Sequence, residues 1–187
     1  MENASDIIVG ERLRLLRAGM AMTLDDLAAR SGVSRAMISR IERGEASPTA
    51  QLLARLCGAL GQSLSSFFAT DAAASPLARR EDQRLWRDPA TGYLRRAVSP
   101  PGNPSPVDVV EVEFPPGAMV AFPPPPVDDG LTQHVWLMDG QLTMTVGTDV
   151  HELLPGDCLF MPLSGGHVFH NPHGKPARYA VILNRKP

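Results

Sequence analysis

Between residues 7 and 70 the apolar positions recur every three or four residues. Val9, Leu13, Leu16 and Met20 make one stripe, and Leu24, Leu27 and Ala28 a second. Met37, Ile38 and Ile41 make a third, Leu52, Leu53, Leu56 and Leu60 a fourth, and Leu64, Phe67 and Phe68 a fifth. This spacing lines up one side of a helix. The punctuation agrees. Thr23, Ser34 and Ser63 each offer a hydroxyl that can accept from an unpaired N–H in a first turn, and Ser47-Pro48-Thr49 reopens the chain. Asp25 and Asp26 suit the positive end of a helix dipole, and Gly32, Gly44 and Gly61 stop the helices. The pattern predicts five short helices.

Beyond residue 81 the period becomes two. The segment QRLWRDPATGYLRRAVS predicts two strands around a turn at 88–92. In VDVVEVEF, residues 107–114, Val110, Val112 and Phe114 alternate with Glu111 and Glu113. Further strands are predicted at 118–122, 132–138, 141–147, 150–154, 158–161, 166–170 and 178–184. Asp139-Gly140 and Pro155-Gly156-Asp157 mark turns. Many short, closely spaced antiparallel strands indicate a sandwich or barrel such as a jelly roll. Between the two patterns, DAAASPLARRE reads as a linker. The predicted fold is α+β in two domains: an all-α five-helix domain at 1–70, a linker at 71–81 and an all-β barrel at 82–187.

Proline sharpens this division. Of 18 prolines, none lies in the first 47 residues and ten lie in 100–126. An interior proline costs a helix about 3 kcal/mol. Loops and sheet edges tolerate it, so the dense stretch is expected inside the β domain. No run of about 18 apolar residues exists to span a membrane. The start of the chain lacks a basic segment followed by an apolar one, so a cytoplasmic location without a signal peptide is expected. Cys57 and Cys158 are too few for a disulfide framework and read as small core residues.

The net charge of −2 announces no global nucleic-acid binder, so any such site must be local. Residues 33–44 supply one, with three arginines against one glutamate. They lie within TLDDLAARSGVSRAMISRIERG, which reads as helix, glycine-containing turn, helix, with Ala28 and Gly32 small where two helices cross. The stretch 7–69 resembles the lambda-repressor-like, or Xre, helix-turn-helix domains. Leu27-Ala28, Gly32-Val33-Ser34, Ile38-Ser39, Ile41-Glu42-Arg43-Gly44, Pro48 and Leu60-Gly61 carry the resemblance.

The resemblance implies that the helix from about 34 to 42 enters the major groove of double-stranded DNA. Arg35 and Arg40 would reach guanine, Ala36 would offer a methyl contact, and Ser39 would reach a base or phosphate. Arg43 would hold a phosphate, and Ser34 caps the helix. The backbone at Thr23 would hold another phosphate. The resemblance also implies an Arg17–Glu42 ion pair. One such module binds a small surface, so a homodimer on a palindromic operator is expected.

Residues 107–184 resemble the cupin superfamily through Gly156-Asp157-Cys158-Leu159-Phe160-Met161-Pro162, Gly166-His167 and Asn171, with Gly140 ending an earlier motif. A cupin metal centre implies three histidines and a glutamate. Here Gln133 stands at the glutamate place. The first two histidine places fall at Pro126 and Asp128 or at Val127 and Asp129, and only His167 matches. Asp128, Gln133 and His134 are conceivable replacements, but Gln133 and His134 are adjacent on a strand and face opposite sides. No metal, cofactor or catalytic residue is expected.

His134, Trp136, His167 and Phe169 are the candidate ligand-lining residues, with Phe122, Met138, Met144 and Phe160 as further pocket candidates. His167 and Phe169 should share a face opposite His170, and His151 and His173 should be exposed near turns. The two resemblances together imply a one-component transcriptional regulator whose cupin domain binds a small-molecule effector, dimerises, or both. The alternative is a metal-dependent enzyme, similar to cupin phosphonate epoxidases, with an accessory helix-turn-helix domain.

Overall fold

Leu13, Leu27, Ile38, Ile41, Leu53 and Leu56 are all fully buried, and they come from four different helical stripes. The computed structural model describes residues 4–68, 75–124 and 130–185. The helices are α1 (Ala4–Gly19), α2 (Leu24–Ser31), α3 (Arg35–Glu42), α4 (Ala50–Ala59) and α5 (Leu64–Phe68). The chain divides into two compact units, Met1–Phe67 and Phe68–Pro187.

Local chemistry sets the helix ends. Thr23 and Asp26 close a reciprocal capping box on α2: the Asp26 N–H donates to Thr23 Oγ1 (3.1 Å), and the Thr23 N–H donates to Asp26 Oδ2 (2.8 Å). Gly32 ends α2 in the left-handed region (φ 65°, ψ 18°), which a side chain would strain. Ser34 and Thr49 cap α3 and α4 by accepting from Met37 N–H and Leu52 N–H. α1 and α3 pack closely at Gly10, where an added methyl would overlap the carbonyl oxygen of Ile41. The sequence pattern pointed to Ala28 and Gly32 as the close-crossing residues and missed Gly10.

The second unit contains β1 (Leu85–Arg87), β2 (Leu94–Ala97), β3 (Val107–Phe114), β4 (Met119–Phe122) and β5 (Thr132–Asp139). It continues with β6 (Leu142–Val146), β7 (Asp149–Leu153), β8 (Cys158–Pro162), β9 (His167–His170) and β10 (Ala177–Asn184). The strands form two sheets, ordered β1-β2-β3-β10-β5-β8 and β4-β9-β6-β7. Every described pairing is antiparallel. Alternation fixes the faces: Val110, Val112 and Phe114 are buried, and so are their register partners Val181, Tyr179 and Ala177 on β10. An interior run of rings links Tyr93, Phe114, Tyr179 and Phe169, with successive centroids 5.7, 6.1 and 5.5 Å apart.

Residues 75–83, placed in or beside the expected linker, are tied to the β unit. Arg80 Nη1 donates to Glu111 Oε2 (2.9 Å), Arg96 Nη1 to the Arg80 carbonyl (3.3 Å), and Asn103 Nδ2 to the Ser75 carbonyl (2.7 Å). Residues 71–74 of that expected linker lie outside the described residues.

Candidate functional site: the outer face of α3 and the barrel histidine

In α3, Ile38 and Ile41 are fully buried, so the opposite side of this eight-residue helix faces outward. Arg35, Ala36, Arg40 and Arg43 are exposed there, and Ser39 is half-exposed. The positions step by three and four, so they form one continuous face. Ser34, at its N-terminal end, is also exposed while it caps the helix.

Two carboxylates flank this face. Arg35 Nε lies 3.4 Å from Asp25 Oδ1, and both side chains are mostly exposed. Arg43 is gripped at both ends of its fork by Glu45, Nε to Oε1 at 2.6 Å and Nη2 to Oε2 at 2.7 Å. Arg43 Nη1 also donates to Ser39 Oγ. Glu45 raises the Arg43 pKa, and Arg43 holds the Glu45 carboxyl below its usual range. The Thr23 hydroxyl and N–H both donate to Asp26. Asp26 is therefore held below the usual carboxylate range, first by the hydroxyl and then by the backbone N–H.

Behind the face stands the expected ion pair. Arg17 Nε donates to Glu42 Oε1 at 2.6 Å and Nη2 to Oε2 at 2.8 Å, and Nη1 donates to the Met22 carbonyl at 2.7 Å. It ties α1 to the end of α3.

In the β unit, His167 and Phe169 share a face as expected. The His167 ring stacks on Phe122 at 5.2 Å and meets Phe169 edge-on at 5.6 Å. Phe169 stacks in turn on Tyr179. His167 Nδ1 is buried and has no hydrogen-bond partner among the described residues. Burial lowers the His167 pKa, opposed by the Gly165 backbone, so the ring is biased toward its neutral form.

His134 and Trp136 do not join this group. On β5 the buried residues are Gln133, Val135 and Leu137, so His134 and Trp136 point to the other face, and Trp136 is 47% exposed. The period of two that aims Gln133 inward sends its neighbours out. Phe160 likewise faces out at 57% exposure, Met144 is fully buried core, and Met138 is half-exposed. Cys57 is buried as expected, but Cys158 is exposed because it pairs with Trp136 on the outer face. His151 and His173 are half-buried rather than exposed.

The donor set does not fit a cupin metal centre. Gln133 is buried, and its Nε2 donates to the Met161 sulfur at 3.2 Å. Among the described residues no group of three or more His, Cys, Asp and Glu could hold a metal. Pro126, Val127, Asp128 and Asp129 lie outside the described residues.

Asn171 is a residue whose role the sequence did not disclose. It is fully buried, and its Nδ2 reaches the carbonyls of Phe114 (3.2 Å), Pro115 (3.2 Å) and Lys175 (2.8 Å). Its Oδ1 accepts from the His173 N–H. The motif asparagine closes loops and touches no candidate ligand residue in these contacts.

A helical unit with a capped, arginine-faced third helix and a two-sheet β unit define a helix-turn-helix protein with a cupin domain. Residues 13–67 match the helix-turn-helix family HTH_3, and residues 110–183 match the cupin domain family Cupin_2. The first match falls in the helical unit and the second in the β unit. It is 26% identical over 171 residues to the HTH-type transcriptional regulator SutR of Escherichia coli strain K12, covering 91% of this chain and 90% of that protein. A solved HTH_3 family transcriptional regulator from Vibrio cholerae has the same fold, with a TM-score of 0.80 and 22% identity over 98% of each chain. Among the described residues no helix is long and apolar enough to cross a membrane.

Proposed function

We propose that this protein is a transcriptional regulator that reads double-stranded DNA with α3 and answers to a small effector in its cupin domain. One observation carries the reading: an exposed arginine face on a capped helix whose far side is fully buried. Arg35 and Arg40 are positioned to donate to guanine edges in the major groove. Ser34, Ala36 and Ser39 lie among them. Arg43 holds a phosphate, and the start of α2 at Thr23 lies against the backbone. The acting species is a homodimer on a palindromic operator, because one module alone buries only about 600–1,000 Å².

In the cupin domain, His167 with Phe122 and Phe169 makes a niche for a small molecule. A flat apolar body would rest on the rings, and a polar group on it would hydrogen-bond His167 Nδ1. The residues at the metal positions argue for a binding domain rather than a metalloenzyme.

The test is binding of labelled genomic duplex fragments by the full chain at fixed salt. The regulator reading expects a subset of fragments to be retained against excess non-specific DNA, and the Arg35→Ala, Arg40→Ala double variant to lose that discrimination. Equal retention of all fragments by both proteins would overturn it.

A further inference from the structure

The turn between α2 and α3 is held from outside those two helices. Arg55, on α4, donates from Nε to the carbonyl of Ser31, 24 residues earlier, at 3.1 Å. Ser31 is the last residue of α2, and its carbonyl is one of those that a helix end leaves without an intrahelical donor. The cation also stands at the negative end of the α2 dipole. Beside it, a Cβ built on Gly32 would lie 2.6 Å from Arg55 Nη2. The guanidinium therefore fills the space over the left-handed glycine (φ 65°) that ends α2.

The rest of the turn is bonded locally. Ser31 Oγ donates to the Leu27 carbonyl at 2.7 Å and accepts from the Val33 N–H at 3.2 Å. The Gly32 N–H donates to the Ala28 carbonyl at 2.9 Å. These bonds fix the turn to α2, and Arg55 ties it to a third element. That element is itself anchored, since Leu53 and Leu56, on either side of Arg55, are fully buried. A charged fork on a rigid helix gives the turn a fixed reference.

We infer that Arg55 is a positioning residue for DNA reading: by fixing the turn it sets the tilt of α3, and so the ratio of specific to non-specific duplex affinity. The inference rests on the regulator reading of α3. Only Val33 and Ser34 separate Gly32 from Arg35, the first residue of α3, so a shift of the turn passes directly into that helix. A bidentate contact with a guanine edge needs both donors of the fork in place, and its supports must hold within about 0.5 Å. Phosphate contacts are less exacting, because they are many and mainly coulombic. A displaced α3 therefore loses base discrimination before it loses phosphate attraction. Among the described residues Arg55 makes its hydrogen bond to Ser31 and none to the outward face of α3.

The experiment compares the full chain with Arg55→Met and Arg55→Lys. Each binds a genomic fragment retained by the unaltered chain, and a scrambled duplex of the same length, over a salt series, with urea unfolding alongside. Arg55→Met should weaken binding to the retained fragment about five-fold or more, leave the scrambled duplex nearly unchanged and leave the log–log salt slope unchanged. Arg55→Lys keeps the charge but lacks the Nε donor, and should behave as Arg55→Met does. A slope lowered by about 0.9 with equal loss on both duplexes would make Arg55 a phosphate contact. Full recovery by Arg55→Lys would make charge alone sufficient. A lowered unfolding midpoint with an unchanged affinity ratio would leave Arg55 a merely structural role. Each of these three results overturns the inference.

Should Arg55→Met unfold, Gly32→Asn still decides. Asparagine tolerates the left-handed region, and its Cβ would displace the Arg55 guanidinium. Gly32→Asn should lower the affinity ratio, and combining it with Arg55→Lys should cost no more than either change alone. Additive losses contradict the inference. An unaltered chain that prefers no fragment removes the regulator reading and this inference with it. A preference that survives both Arg55 variants removes the inference alone.

Discussion

Arg17 and Glu42, 25 residues apart in sequence, form a two-pronged ion pair whose side chains are 15% and 7% exposed. The pair fixes the C-terminal end of α3 to α1. Its third arm, Arg17 to the Met22 carbonyl, also fixes the turn before α2. An exposed pair contributes about 0–1 kcal/mol, whereas breaking a buried one costs about 3–5 kcal/mol. Glu42→Gln is expected to cost about 2–3 kcal/mol in urea unfolding with an unchanged slope. A loss below about 0.5 kcal/mol would show that the pair does not set the placement of α3.

The Arg43–Glu45 contact gives a different expectation, because both side chains are about half exposed. Breaking it should leave stability nearly unchanged. A DNA phosphate must compete with Glu45 for the Arg43 fork. Glu45→Gln should therefore tighten non-specific duplex binding several-fold, and Arg43→Ala should weaken it across all sequences. The salt dependence should separate them, with Arg43→Ala flattening the log–log slope by about 0.9. Unchanged slopes in both variants would place Arg43 away from the backbone.

Gly10 and Gly140 are predicted to resist alanine for related reasons. At Gly10 a methyl would overlap the Ile41 carbonyl oxygen, and at Gly140 (φ 82°) it would overlap the Pro176 carbonyl oxygen. The obstacle in each case is backbone, which cannot rotate away. Each substitution is expected to cost about 2–3 kcal/mol, Gly140→Ala more because of its left-handed backbone. Thermal melts of the two variants check this, and a midpoint within experimental error of the unaltered chain would contradict it.

Much of this architecture was legible from periodicity. A helix stands at each of the five predicted stripes, and the eight strands from residue 107 onward fall within a residue of the predicted spans, because an eight-residue amphipathic helix and an alternating strand each announce their period. Arg17 and Glu42 came through the family resemblance, since nothing local links residues that far apart. Gly10 was not legible: a glycine inside a helical stripe looks like a weak helix former until its neighbour across the crossing is known. His134 and Trp136 were assigned to the wrong face because the pattern around them, TQHVWLM, mixes polar and apolar residues on both faces and gives no alternation to read. Only the register, which sets Gln133 opposite buried Met161, decides it.

Acid should act on the β unit through His167. Its folded pKa lies below the ordinary 6.5 because burial disfavours the charged ring. Below pH 6.5 the unfolded chain takes up a proton that the folded chain resists. His167 is therefore neutral in its effect above that pH, and it subtracts stability as the pH falls toward the folded value. His167→Gln should lessen the loss of stability between neutral and mildly acidic pH in paired denaturant titrations. An identical pH dependence in both proteins would mean that His167 titrates normally.

Whether α3 reads base sequence as part of a dimer is decided by binding-site selection with the full chain from a random duplex library. A dimer reading through α3 should enrich a palindrome whose half-site centres lie about one helical turn, roughly 34 Å, apart. Arg35→Ala should lose preference at one symmetric position in each half-site while keeping the rest. No enrichment, or the same motif selected at full strength by Arg35→Ala, would contradict reading through α3.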